Sequence, residues 1–329
     1  MVDERAGDKL ESEEKSHTKG VSLLLGDPKK AILRLSIPTI IAMVINSLYA
    51  LIDGIWVAGL GGDALAAIGF VNPLYLIVMG FSNGLGAGAT SVISRYIGEK
   101  NKKQADNTAL HVILLIAILT IIFTVVLLLF LKEILIAIGT GPEVLNLSMT
   151  YGRILFIGTV FMVFSSTAYG ILRAEGNVTK TTYGMLVGAI INMILDPIFI
   201  YQFGMGIFGA GLATILSLAI VSILILYWFK EETYIDFSFK DFVYNNKLIK
   251  QILNVGLPAG FEFLIIAFLN GFLNLILMMV SNVQGVAVYT AGWRVVMMGM
   301  VTPIAIGISV VAVTGANYGG RRYENLKII

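Results

Sequence analysis

Long apolar stretches alternate with short polar turns along almost the whole chain after residue 30. Eight of them reach the roughly 20 residues that a helix needs to cross the ~30 Å hydrocarbon layer of a bilayer. They lie at about 33–60, 64–94, 108–131, 144–172, 180–203, 208–229, 250–281 and 285–318. A backbone in lipid must satisfy its own hydrogen bonds, and the strict alternation typical of membrane barrels is missing. The pattern therefore predicts an all-α integral membrane protein with eight transmembrane helices.

Composition supports a membrane protein and argues against several other classes. Of the 329 residues, 57% are apolar and 13% are charged, whereas soluble domains carry about 25% charged residues. The chain has no cysteine, so it can form neither a disulfide nor a thiolate metal site. Its two histidines, His17 and His111, are far apart in the sequence, which argues against a zinc site. Because no catalytic arrangement of side chains is visible, we expect neither an enzyme, nor an organic cofactor, nor nucleic-acid binding.

Lysine and arginine are distributed as the positive-inside rule requires. They are frequent in the N-terminal segment, in the connections after the second, fourth and sixth spans, and at the end of the chain. The loops on the opposite side contain only Lys132. This distribution predicts a multi-pass protein of the cell membrane whose N-terminus is cytoplasmic.

The stretch after residue 247 resembles the stretch after residue 27. Leu33 and Pro38 match Leu253 and Pro258 at an offset of 220, and five further positions match at 221 after a slip in the outer turn. Apolar helices always align to some extent, so chance similarity is the alternative. A repeat separated by six helices has the same orientation in both copies, which is a transporter architecture.

The repeat predicts four regions: a polar cytoplasmic tail at 1–27, a six-helix N-lobe at 28–230, a cytoplasmic linker at 231–247, and an incomplete second lobe of two helices at 248–329. The pattern favours a truncated form of a twelve-helix design over a shorter complete protein.

Two acidic residues, Asp53 in the first span and Asp196 in the fifth, lie at one depth in the membrane. Each is eight residues from the outer end of its span, or roughly 12 Å at 1.5 Å per residue. Thr214 is at a similar depth in the sixth span, and Asn192 is one turn before Asp196. Ionisable residues in a membrane are costly and usually functional. The alternative is that each aspartate makes an ordinary hydrogen bond between helices.

Two carboxylates close together in a low dielectric cannot both stay ionised, and binding H⁺ or Na⁺ relieves the repulsion. The sequence therefore predicts a site for a coupling cation, with no other metal. Tyr49 and Asn46 are about one and two turns inward of Asp53. Pro197 frees the carbonyl of Met193 as a further ligand or as a hinge.

Three other residues inside spans are functional candidates. Pro38 shares a span with Asp53, so bending there could be coupled to cation binding. Glu262, one turn after Pro258, is either a second coupling site or a side chain that reaches the inner interface. Arg294 has no obvious partner nearby and is interpreted as structural, paired with a helix end or with Glu262.

Three separated motifs resemble those of prokaryotic multidrug and toxic compound extrusion (MATE) transporters. They are Leu51-Ile52-Asp53-Gly54-Ile55-Trp56-Val57, Gly170-Ile171-Leu172-Arg173-Ala174-Glu175-Gly176 and Asn192-Met193-Ile194-Leu195-Asp196-Pro197-Ile198-Phe199-Ile200. The resemblance implies two six-helix lobes around a V-shaped cleft in a monomeric transporter. It also implies export of small amphipathic, often cationic compounds in exchange for H⁺ or Na⁺.

The resemblance further implies that Asp53, Asn192, Asp196 and Thr214 form the cation site of the first lobe. Tyr49 and Asn46 would adjoin the site, and Pro38 would be the bending point. The chain departs from the family where relatives carry asparagines in the fourth span, because Ser165, Ser166, Thr167 and Tyr169 stand there. Ser166 is therefore a site-adjacent candidate that lacks the amide.

Three functions follow from this reading. The first is a cation-coupled exporter of drugs or metabolites, and the second is a lipid-linked saccharide flippase of the same superfamily. A flippase needs a more cationic cavity, for which only Arg294 is a candidate. The third is a non-transporting truncated copy. The absence of the last four spans of the second lobe supports it, and the chain would then be an inactive fragment.

Overall fold

The computed structural model describes residues 18–231 and 233–329, apart from the side chains of residues 50 and 241 and of many residues within 267–298. Ten α-helices occur in this part of the chain. They are α1 (Lys19–Leu24), α2 (Pro28–Ala58), α3 (Gly62–Gly98), α4 (Lys102–Ala137), α5 (Pro142–Ile157), α6 (Thr159–Ala174), α7 (Val178–Pro197), α8 (Gly206–Glu231), α9 (Asn246–Gly319) and α10 (Tyr323–Leu326). A π-helical turn, Ile198–Gln202, extends α7, and a 3₁₀ turn, Phe239–Asp241, lies before α9.

The membrane-spanning helices confirm the all-α membrane fold. Seven described segments are long and apolar enough to cross a bilayer, and the bent pair α5–α6 makes an eighth. The span predicted at 144–172 is this pair, which bends by 52° at Gly158. A Cβ at Gly158 would lie 2.8 Å from Cγ2 of Ile215, so α8 packs directly against the bend. The bend therefore depends on a neighbouring helix as well as on local sequence.

The last two predicted spans lie within one helical element, α9, which runs from Asn246 to Gly319. Its two ends contact nearby points on α3: Ile252 packs at Gly88, and Ala316 packs at Gly98. These points on α3 are roughly 15 Å apart, whereas 64 residues of straight helix would extend roughly 96 Å. The element therefore reverses direction between its ends, as two antiparallel spans require. The division of the chain into lobes stays a prediction.

Glycines bring helices into backbone contact along α3 at Gly84, Gly86 and Gly88. A Cβ at Gly84 would lie 2.7 Å from the backbone nitrogen of Gly260 in α9. Gly86 packs against Gly170 of α6, where the hydroxyl of Thr90 donates to the carbonyl of Gly170 at 2.8 Å. Small residues allow such close crossings in membranes, where packing replaces the hydrophobic effect between helices.

Part of the predicted polar tail is packed against the bundle. Residues 1–17 lie outside the described residues, but Val21 and Leu24 of α1 are fully buried. Gly20 touches the backbone at Glu175 and Gly176, where Gly176 adopts a φ of +73° that favours glycine. The short apolar run within the tail explains this docking, because its burial removes about 25 cal/mol per Å² of unfavourable hydration.

The linker before α9 is bound to the ends of α4 and α6 by hydrogen bonds. Glu175 is fully buried and accepts bonds from the Thr233 hydroxyl, from the Tyr234 N–H at 3.2 Å and from the Ile235 N–H at 3.3 Å. Burial raises the pKa of the Glu175 carboxyl, whereas these three donors and nearby Lys180 act in the opposite direction. The carboxylate thus fixes the first part of the linker.

The second part of the linker is held by two side chains of α4. Asn107 donates to the Val243 carbonyl at 2.9 Å and accepts from the Val243 N–H at 3.2 Å. The fully buried His111 accepts from the Asn245 N–H through Nε2 at 2.9 Å. His111 also packs against the ring of Phe242, at 4.9 Å between ring centroids. The linker is therefore attached to the bundle at both ends.

Replacing Glu175 with glutamine should release the first part of this linker. The amide keeps one acceptor oxygen but turns N–H donors toward groups that are themselves donors, a loss of about 1–3 kcal/mol for a buried site. Trypsin should then cut faster after the exposed Lys240, as measured by gel densitometry on protein in lipid nanodiscs. Glu99→Gln, at a carboxylate paired with Arg95 on the surface, is the control. Equal cleavage rates in both variants would contradict the anchoring role.

Candidate functional site

The two acidic residues singled out by depth meet between α2 and α7. Asp196 is fully buried, Asp53 is half-buried, and their carboxyl groups lie within hydrogen-bonding distance of each other. Oδ1 of Asp196 is buried and has no hydrogen-bond partner among the described residues. Two carboxyl groups adopt this arrangement at low cost only when a proton or another cation compensates one charge.

Asn192 and Thr214 complete the group from α7 and α8. The amide of Asn192 satisfies both of its ends when Nδ2 donates to Oδ2 of Asp196 at 2.8 Å and Oδ1 accepts from the Thr214 N–H at 3.2 Å. The Thr214 hydroxyl donates to the Ala210 carbonyl at 3.1 Å, within its own helix. The structure thus brings together all four residues of the predicted cation site.

An apolar layer closes this site toward the end of the bundle where α2 meets α3. Val57, Ile200 and Ala210 form one buried cluster, packed against Trp56 and Leu60. Each lies four residues from a site residue, and therefore about one turn outward of Asp53, Asp196 and Thr214 respectively. Further out, the hydroxyl of Tyr201 donates to the Trp56 carbonyl and ties the π-helical turn to α2. The carboxyl groups are consequently shielded from solvent at this end of the bundle.

Three tyrosines lie close enough to the pair of acids to interact with them electrostatically. Tyr49 of α2, Tyr75 of α3 and Tyr151 of α5 each interact electrostatically with Asp53, and Tyr49 and Tyr151 also interact with Asp196. Tyr49 was predicted, whereas Tyr75 and Tyr151 were not. Tyr151 is nine residues inside the start of α5, or roughly 13–14 Å, so the depth count that selected Asp53 could also have found it.

The remaining predicted site residues occupy several places. Met193 and Pro197 lie on α7 beside Asp196, and both are half-buried. Asn46 is exposed on α2, and no described hydrogen bond joins it to the acids. Ser166 donates to Oδ1 of Asn83 on α3 at 3.0 Å, so its described partner lies on α3 and is neither of the acids. Sequence counting missed this pair because the depth of a residue does not specify which helix lies beside it.

The predicted second-lobe site is not assembled by the described residues. Glu262 is exposed on α9. Arg294 lies outside the residues whose side chains are described, so the predicted contact between the two stays a prediction. Among the described residues, no group of three or more histidines, cysteines or acids could hold a metal ion. Two carboxyl groups with amide, hydroxyl and carbonyl oxygens suit a proton or Na⁺ better than a transition metal.

The family of the chain follows from its match to a family model. The MatE model matches residues 38–198 and 258–329. The chain belongs to the MatE family. The matched segments begin at Pro38 and Pro258, 220 residues apart, which is the offset of the predicted repeat. Asp53, Asn192 and Asp196 all lie within the first segment.

Known proteins give the same assignment. Over 270 residues the MatE-family chain is 28% identical to the multidrug export protein MepA of Staphylococcus aureus (strain NCTC 8325 / PS 47), a match covering 81% of the chain and 59% of MepA. It is 41% identical to MATE solved in the straight conformation (TM-score 0.92) and in the bent conformation (TM-score 0.91). Each structural match covers 95% of this chain and 70% of the solved one.

Proposed function

We propose that this MatE-family chain acts in a cation-coupled antiporter that exports small amphipathic, often cationic compounds across the cell membrane, with its N-terminus in the cytoplasm. The observation that carries the proposal is the contact between the carboxyl groups of Asp53 and Asp196 in a buried position. MepA is a multidrug export protein, which supports this substrate class. The chain spans 59% of the length of MepA.

The proposed coupling depends on what the two acids do when the cation leaves. With a proton or Na⁺ present, the repulsion between the carboxyl groups is compensated, and α2 and α7 can stay together. Without it, two negative charges in a low dielectric repel each other strongly. The helices then separate or admit water, and this difference in free energy links cation binding to the position of α2.

A proton fits this geometry more directly than Na⁺. Two carboxyl groups in direct hydrogen-bonding contact share one proton without further ligands, whereas Na⁺ needs several oxygens around it. Asn192 supports the shared proton, because its amide donates to Asp196 Oδ2 at 2.8 Å and fixes that carboxyl group. We therefore propose H⁺ as the coupling ion, with Na⁺ as the alternative that the same oxygens could bind.

The test is cation-driven efflux from lipid vesicles containing the purified chain. An amphipathic cationic dye is loaded, a pH or Na⁺ gradient is imposed, and dye release is followed by fluorescence. Asp53→Asn should reduce gradient-driven release by about tenfold or more, because the amide keeps the shape but cannot exchange a proton or hold a charge. Asp63→Asn, at an exposed aspartate in the first turn of α3, should release dye at the parent rate.

The outcomes decide between the alternatives. Release driven by the pH gradient alone supports H⁺, and release that requires a Na⁺ gradient replaces it with Na⁺. Equal release from the parent chain and Asp53→Asn would refute the proposed coupling. A parent chain that binds lipid and folds, yet never responds to either gradient, would favour the non-transporting reading.

A further inference from the structure

A second contact between α2 and α7 lies on the cytoplasmic side of the two acids. The hydroxyl of Thr182, in α7, lies 3.0 Å from the carbonyl oxygen of Pro38, in α2, and 3.1 Å from the carbonyl of Val178 in its own helix. Thr182 is half-buried. A threonine hydroxyl in a helix usually bonds only within its own helix. Here the hydroxyl can also donate its hydrogen to the carbonyl oxygen of Pro38 in the neighbouring helix.

The partner carbonyl is at the one proline inside α2. Pro38 has no N–H, so the carbonyl of Arg34 lacks its helical partner and the helix is weakened at this turn. The carbonyl of Pro38 is also the acceptor for the next turn of the same helix. Because a carbonyl oxygen has two lone pairs, the bond from Thr182 is made beside that helical bond and pins the weakened turn of α2 to α7.

Thr182 and Asp196 are on one helix, and Pro38 and Asp53 are on the other. The two contacts are separated by 14 residues along α7 and 15 residues along α2, which correspond to roughly 21 Å and 22 Å. The spacings are nearly equal, so the same two helices are joined at two levels. A change in the distance between the acids therefore rotates α2 about its inner contact with Thr182.

We propose that Thr182 is a positioning residue for cation coupling, because its hydroxyl holds the weakened turn at Pro38 against α7 in the state in which the acids share a cation. This inference rests on the proposed function of Asp53 and Asp196. Loss of the hydroxyl frees the turn, lets α2 leave α7 more easily, and weakens the cation-bound state. The side chain itself touches neither the cation nor the substrate.

The neighbouring residue supplies a matched control. Thr181 is buried, and its hydroxyl has no hydrogen-bond partner among the described residues. Thr181→Val and Thr182→Val make the same chemical change one position apart, but only the second removes a bond between α2 and α7. Thr182→Ser keeps the hydroxyl. Thr182→Ala removes the hydroxyl without introducing valine, so an effect seen only in Thr182→Val would come from the packing of valine.

The experiment measures the cation concentration that gives half-maximal dye efflux in vesicles. Thr182→Val and Thr182→Ala should raise this concentration about three- to tenfold, the range expected for one net hydrogen bond. Thr181→Val and Thr182→Ser should stay within about twofold of the parent chain, since neither loses the bond to Pro38. Thermal unfolding in detergent confirms that each variant is folded.

A spectroscopic readout reports the position of α2 without transport. The chain has no cysteine, so spin labels can be placed at the exposed positions Ile55 in α2 and Ile223 in α8. Thr182→Val should broaden the distance distribution between these labels. The distribution between Leu33 and Ile223, with Leu33 on the inner side of Pro38, should stay as in the parent.

The results separate this inference from the proposed function. If Asp53→Asn abolishes coupled efflux while Thr182→Val behaves like Thr181→Val in both assays, the positioning role is wrong and the cation site stands. If Asp53→Asn retains full coupling, the proposed function is wrong, and the positioning role of Thr182, which depends on it, is wrong as well. A changed half-maximal concentration in Thr181→Val as large as in Thr182→Val would also overturn the inference.

Discussion

Replacing Asp196 with asparagine should lower cation-driven efflux by at least about 100-fold, because the fully buried member of the pair loses the carboxyl group that shares the proton with Asp53. The double variant Asp53→Asn, Asp196→Asn should be no less active than the worse single variant. Both acids act on one shared cation, so removing the second adds nothing once the first is gone. Initial rates of dye release in vesicles with a fixed gradient measure all three variants.

The activity of the double variant distinguishes one shared cation from two separate cations. Independent sites would make the two losses multiply, whereas residues that act as a unit show strong non-additivity. Thermal unfolding provides the control, since an asparagine pair should leave the bundle folded. A double variant whose rate equals the product of the two single losses would show that the acids serve separate ions.

Replacing Gly170 with alanine should destabilise the folded bundle. A Cβ there would lie 2.6 Å from Cα of Gly86, in the backbone of α3, which cannot move as a flexible side chain can. Overpacking a close helix crossing costs about 1–3 kcal/mol, and more when backbone is the obstacle. We expect a clear fall in the melting temperature in detergent and a lower yield of monodisperse protein, as measured by size-exclusion chromatography.

The matched change is Gly69→Ala in α3, where no atom lies within 4 Å of the added Cβ. Alanine favours a helix over glycine by up to about 1 kcal/mol, so this variant should melt at the parent temperature or slightly above it. Similar melting temperatures for Gly170→Ala and Gly69→Ala would mean that α3 and α6 can separate without cost, against the packing seen at Gly86.

The sequence predicted the spans, and it selected four residues that the structure brings together, because both results follow from counting along single helices. An apolar run of sufficient length must be helical in lipid, and the distance of an acid from the end of its span fixes its depth. Asp53, Asp196 and Thr214 were selected by depth alone, and Asn192 by its position one turn from Asp196. All four lie together in the structure.

Contacts between helices could not be predicted in the same way, because depth does not specify which helix is the neighbour. The bend at Gly158 depends on Ile215, the partner of Ser166 is Asn83, and α1 is docked on a loop far along the chain. The Thr182 contact is of this kind as well. A polar residue on one helix indicates a bond, but only the packing identifies the acceptor.

The anchored linker has a mechanical consequence for α9. Asn245 caps this helix through the Lys247 N–H at 2.9 Å, and its own N–H is held by His111 of α4. The first turn of α9 is thus a pivot fixed to the bundle. A tilt of α9 displaces each residue in proportion to its distance from that pivot, so a few degrees at Asn246 become ångströms of travel at the far end of the first span.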